Sequence, residues 1–156
     1  MMKRLPEPTA DTPSYDEIRA SLARLEAGTT PGWGKLTSPG MCRHCRQFVE
    51  LYLGEIKVAL PMRLLMRAVG GIFLKKVLSG SPRDTPKNIR TLGSIRVTDE
   101  SLDFEAERTA VLAALARIEA LSGIVEHPVY GTMHADDVHA LVRHHTAHHL
   151  HQFGVL

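Results

Sequence analysis

The last fourteen residues, Arg143–Leu156, read RHHTAHHLHQFGVL, and the direction of each ring in this stretch decides how the chain folds and what it holds. The whole chain carries nine histidines, and eight of them lie between His127 and His151. Each residue of an α-helix turns about 100° from the last. With Val138 at zero, Leu141, Val142 and Phe153 fall at about −60°, +40° and +60°, which sets the apolar face. His145 and His149 then sit near −20° and +20°, at the centre of that face, with Gln152 beside them near −40°. His144, His148 and His151 fall at roughly −120°, −80° and −140°, at its edge or outside it. Two rings therefore face the core, and His144 and His151 are expected to be more exposed than they are.

The ninth histidine belongs to SPGMCRHCRQFVELYLG, residues 38–54. With His44 at zero, Met41, Phe48, Leu51 and Tyr52 lie within about 80° of it, so His44 is also central on an apolar face. Cys42 lies nearly opposite, at about 160°, and Cys45 near 100°. A zinc ribbon needs a second cysteine pair and none exists, so Cys42 and Cys45 read as ordinary helix cysteines. Three inward imidazoles each need a polar partner in apolar surroundings. One divalent metal would serve all three, since imidazole suits zinc, nickel, copper or iron. The i, i+4 spacing puts His145 and His149 on one side of a turn, with His44 completing the set from a facing helix.

The rest of the chain is helical in pattern. Ser14 offers an N-cap to a helix carrying Ile18, Leu22 and Leu25 on one stripe. Pro39 and Pro61 open further helices, the second running to about Leu78. Ser101 offers a cap to SLDFEAERTAVLAALARIEALSG, and the last helix runs from about His134 to Gln152. Between them, Ser79–Ser101 is a long polar loop with at most a short extended piece near SIRV, and EHPVYGTMHADDV is a turn bearing Pro and Gly. Five helical segments with hardly any strand signal predict an all-α fold, a four-helix bundle with an extra helical segment and one long loop. The 156 residues suit one domain, with residues 1–13 as a flexible tail.

Composition narrows the function classes. Two cysteines imply no disulfide framework, and the N-terminus has no apolar core of a secretory signal, so a cytoplasmic location is expected. The longest apolar stretch, LPMRLLMRAVGGIFLKKVL, is broken by Arg63, Arg67 and Lys75 and is a poor membrane span. Net charge is +2, yet Lys57–Arg96 holds nine basic residues and one acid, Asp84. That segment could face an anionic ligand, a lipid surface or nucleic acid, or be a solvated face. No nucleic-acid-binding signature accompanies it, so no nucleic-acid partner is expected.

The ending HPVYGTMHADDVHALVRHHTAHHLHQFG resembles the C-terminal signature of a bacterial family within the DinB/YfiT-like metalloenzyme superfamily. There a His-Pro-x-aromatic-Gly turn, here His127, Pro128, Tyr130 and Gly131, precedes a helix carrying H-x-x-H-H-x-x-Q-F-G, here His145 to Gly154. The likeness covers roughly Trp33 to Gly154. It implies a four-helix bundle in which His44, His145 and His149 bind a divalent metal, zinc or nickel first, with iron or manganese as alternatives. It makes His148 a neighbour of the ligands and Gln152 a hydrogen-bonding one. It also implies a small-molecule substrate, thiol-dependent transfer or hydrolysis, a low-molecular-weight thiol as cofactor, and a homodimer. Arg83, Arg90 and Arg96 in the long loop are candidates for holding an anionic cofactor or substrate. A three-histidine site keeps a coordination position open, the arrangement of a catalytic rather than a structural metal. The rival reading is a non-catalytic binding protein with a structural metal and a basic surface for DNA or membrane.

Overall fold

The computed structural model describes residues 3–156, so the first two residues of the expected tail lie outside it. Among the described residues, five α-helices and one hairpin make up the fold: α1 (Tyr15–Arg24), α2 (Ser38–Tyr52), α3 (Leu60–Leu78), α4 (Phe104–Glu119), β1 (Ile124–His127), β2 (Gly131–His134) and α5 (Ala135–Gln152). Helix α1 starts on a capping box in which Ser14 and Glu17 bond each other's backbone N–H. Thr37 caps α2, with Pro39 in its first turn. Helix α4 starts later than Ser101. Asp103 accepts from the Ala106 N–H, while Ser101 donates to Asp99. A carboxylate facing the positive end of a helix outcompetes a hydroxyl for that place.

Helices α1, α2, α4 and α5 share the core. Ile18, Leu22, Met41, Val49, Val111, Leu115, Ile118, Val138 and Val142 have no exposed surface. Helices α2 and α4 are also tied by Glu107, buried between them, which accepts from the Arg43 guanidinium at 3.0 Å. Ahead of α1, Leu5 is buried and Arg4 pairs with Asp136 at 3.1 Å, so this part of the expected tail lies along the start of α5. Helix α3 packs differently. Only Gly70, Leu74 and Leu78 of its nineteen residues are buried.

The hairpin corrects the all-α expectation. Ile124 pairs with His134 and His127 with Gly131 in an antiparallel ladder. Strands of four residues are too short to print an alternating pattern in the sequence. The turn between them is organised by His127, whose Nδ1 accepts from the N–H groups of both Val129 and Tyr130 at 3.0 Å. The following Gly131 has φ of 77°, a conformation costly for other residues. The long loop, too, has its own structure: short 3-10 turns at Pro82–Asp84 and Gly93–Ile95, the second where an extended piece was expected.

Candidate metal centre

Helices α2 and α5 bring His44, His145 and His149 together, with one ligand-capable atom from each lying within 4.8 Å of the others. The ring centres are 4.7 Å apart for His44 and His149, 4.7 Å for His145 and His149, and 5.0 Å for His44 and His145. Among the described residues no fourth histidine, cysteine or carboxylate joins this group.

The hydrogen bonds around the three rings determine which nitrogens carry lone pairs. His44 Nδ1 lies 3.1 Å from the Ile95 carbonyl, so it donates there and Nε2 is left as the acceptor nitrogen. Gln152 Nε2 donates to the Trp33 carbonyl at 2.7 Å, so its Oε1 must be the acceptor for His149 Nδ1 at 2.8 Å. His149 Nε2 is therefore its lone-pair nitrogen as well. Two rings of three are thus held by their Nδ1–H groups, one on a backbone carbonyl and one on an amide oxygen. Histidine ligands to metals are commonly oriented in this way.

His145 is held by packing instead. Phe48 stacks on it with ring centres 3.7 Å apart and planes 2° from parallel. Its Nε2 lies 3.1 Å from His44 Nε2, while its Nδ1 is buried without a partner. In either tautomer His145 Nδ1 stays without a hydrogen-bond partner. A proton shared by the two Nε2 atoms would give His149 nothing to face, whereas a cation among the Nε2 lone pairs would meet all three rings.

Charge state agrees with the donor set. Burial, reinforced by neighbouring imidazoles, pushes His145 well below the ordinary histidine pKa. Burial and then His44 lower His149 to about 3. His44 is lowered by burial, partly offset by its bond to Ile95. All three are neutral at pH 7, the form that binds metal. His145 and His149 keep partial exposure, whereas His44 is buried.

The other sequence-predicted residues fall into place unevenly. His148 meets His149 edge to face at 5.1 Å and lies 5.7 Å from the Trp33 ring. Gln152 is the hydrogen-bonding neighbour just described. The exposure expected of His144 is overturned: it is buried, with its Nε2 2.9 Å from Thr85 Oγ1. The helical wheel gave its direction correctly, but the Ser79–Ser101 loop folds over that flank of α5 and covers it. His151 is partly buried, its Nδ1 donating to the Leu156 carbonyl at 3.0 Å. Arg83, Arg90 and Arg96 are exposed, and among the described residues none hydrogen-bonds or ion-pairs with the cluster. Another loop cation, Lys87, lies 4.5 Å from the Trp33 ring centre, and the sequence gave no reason to single it out. Cys42 and Cys45 are fully buried, and burial raises the Cys42 thiol to about 12 and the Cys45 thiol well above its usual value. Cys45 Sγ points to Met41 Sδ at 3.7 Å, away from any ligand role.

Two features were missed in the sequence. Ile95 supplies the carbonyl that orients His44, from a polar loop with no periodicity to mark it. The loop holding Trp33 is fixed to the end of α5 twice, by the Gln152 amide and by the Gly32 N–H donating to the Gln152 carbonyl at 2.7 Å. Gly34 is required there, since a Cβ at that position would sit 2.8 Å from Gln152 Nε2 and its φ is 77°.

A mostly helical protein with a buried three-imidazole cluster between two helices is the class that fold and site define. The chain belongs to the family described as Protein of unknown function (DUF1569), which it matches over residues 9–155. No curated protein and no solved structure matches it.

Proposed function

We propose that this protein is a metalloenzyme of DinB/YfiT-like architecture, in which α1, α2, α4 and α5 form the four-helix bundle and α3 is the extra segment. His44, His145 and His149 hold one divalent ion, zinc or nickel in first place. The reading is carried by the facing Nε2 atoms of His44 and His145, 3.1 Å apart with the His44 Nδ1–H already committed to Ile95. When bound, the ion supplies a Lewis acid that polarises a carbonyl or lowers the pKa of a water or thiol.

The chain's own groups do the rest. Ile95 and Gln152 fix the tautomers of His44 and His149, and Phe48 limits rotation of His145. With three neutral ligands and no fourth protein ligand among the described residues, a position stays open for a small molecule. The partial exposure of His145 and His149 gives it a route in. The reaction class is thiol-dependent transfer or hydrolysis on a small substrate, with a low-molecular-weight thiol as the co-reactant in the first case. Metal analysis of untagged, dialysed protein tests the reading, followed by assays of the loaded and chelated forms against both substrate types. One equivalent of metal and an activity lost on chelation and restored by metal are expected. Dialysed protein that retains none overturns it.

A further inference from the structure

Helix α3 presents to solvent what a helix normally hides. Leu60, Leu64, Leu65, Val69, Ile72 and Phe73 are all exposed, Ile72 at 77%. With Leu60 at zero these six fall at about 0°, 40°, 140°, 180°, 120° and 220°. The bare apolar arc is therefore about 220° wide, against the roughly 100° stripe by which a helix packs on a globular core. The inward side is committed to the hairpin turn and the core: Arg63 donates to the Pro128 carbonyl at 2.9 Å, Gly70 lies against the Tyr130 ring, and Leu74 and Leu78 are buried in the core.

Charge separates the candidate occupants. From Lys57 to Arg83 there are six basic residues and no acid. Lys57 precedes the helix, and Lys75 and Lys76 occupy its last turn at about 60° and 160°, within the apolar arc. A second copy would meet this face with the same cations, and the one acid lining the groove beside Ile72 and Lys75, Glu126, is too few to answer them. A single partner helix would cover less than half of the arc. Nucleic acid would accept the lysines but leave the leucines and Ile72 in water. An anionic bilayer surface accepts both: apolar side chains enter the headgroup boundary, and long lysine stems keep their ammonium groups among the phosphates.

We propose that α3 is an interfacial helix that docks the protein on an anionic lipid surface, lying in its plane. No helix of the described residues is long and apolar enough to cross a membrane, so the attachment is peripheral. It is independent of the metal centre, whose histidines lie on α2 and α5.

Sedimentation with vesicles tests this on the full, metal-loaded chain. Wild type should pellet with vesicles of phosphatidylcholine containing phosphatidylglycerol, less so as salt rises, and hardly at all with phosphatidylcholine alone. Lys75→Gln with Lys76→Gln should lower partition onto the anionic vesicles about thirtyfold, at the usual increment per surface lysine. Leu65→Gln with Ile72→Gln should lower it about a hundredfold, with circular dichroism and metal content unchanged. Three outcomes overturn the proposal: no pelleting with either vesicle; a dimer by light scattering that the Leu65/Ile72 variant converts to monomer, without vesicle binding; or duplex DNA binding that only the lysine variant loses.

Discussion

Histidine is buried in two ways in this protein. In the hairpin, His127 is almost fully covered, and its Nδ1 accepts two backbone N–H groups that would otherwise be unpaired in the turn. Tyr52 and Tyr130 pack against the ring at 4.2 and 4.8 Å. Between α2 and α5, His44 and His149 spend their Nδ1–H bonds on orienting themselves, His145 is held by packing against Phe48, and the remaining lone pairs face one another. The first arrangement serves the backbone around it. The second leaves its lone pairs free of backbone partners, in the arrangement that could hold a metal ion. One residue type is thus buried in two ways that differ in where its lone pairs go, and substitutions at the two places should fail in different ways.

The largest contrast concerns metal. His145→Ala should abolish stoichiometric binding, while His127→Ala and His151→Ala leave one equivalent after dialysis, measured by elemental analysis. Equal losses in His145→Ala and His151→Ala would mean that the histidine tract binds metal collectively.

Stability should show the reverse order. His127→Ala strands two backbone N–H groups and leaves a cavity, offset in part by removing the ring's own buried Nε2, which has no partner, for a net cost of about 2–3 kcal/mol in urea unfolding of metal-free protein. His145→Leu in the same metal-free state should cost less than about 1 kcal/mol, because it removes a buried imidazole whose Nδ1 has no partner. If both variants were equally destabilised, the distinction between the two kinds of burial would collapse.

Acid adds a signature to His127. Burial lowers its pKa from 6.5 to about 3 in the fold. The unfolded chain therefore takes up a proton that the folded chain refuses. Its contribution is complete above pH 6.5 and is lost as pH falls toward about 3, at up to about 1.4 kcal/mol per pH unit. His127→Asn keeps an acceptor for the turn but cannot titrate. The acid limb of its stability curve, in metal-free protein, should be shallower than wild type by about one proton.

What the sequence disclosed follows from what periodicity can carry. The directions of His44, His145 and His149 follow from rotation per residue along α2 and α5, so the cluster was legible before any coordinates. The hairpin was not, because four-residue strands hold too few alternations, and the residue that organises it reads as one more histidine. The cover over His144 was also hidden. A wheel reports where a side chain points, and Thr85 reaches it from a loop 59 residues earlier whose path leaves no pattern. The exposed face of α3 escaped for the opposite reason: its sequence is apolar on nearly every side, which in a helix normally signals burial.

Gln152→Leu probes the join between the ligand cluster and the Trp33 loop. It removes the acceptor of the His149 Nδ1–H and the donor to the Trp33 carbonyl together. Metal affinity should fall about 10–100-fold, as is usual for losing the group that orients a ligand, without loss of stoichiometry at saturating metal. An unchanged affinity would show that packing alone orients His149.

The smallest effect is expected on the outer flank of α5, where the two kinds of burial meet. His144 is as well covered as His44, but its neighbours are those of a structural residue: Nε2 bonds to Thr85 Oγ1, and Nδ1 has no partner. Losing the bond to Thr85 costs about 1 kcal/mol. Removing a stranded nitrogen returns part of that. His144→Leu should therefore lie within about 1 kcal/mol of wild type in urea unfolding and keep its full equivalent of metal. Thr85→Val, which strands the histidine's Nε2 as well, should cost more than His144→Leu does. If His144→Leu lost metal instead, the site would extend across the helix to the flank facing the long loop, and a bond to a loop hydroxyl would no longer mark a histidine as structural.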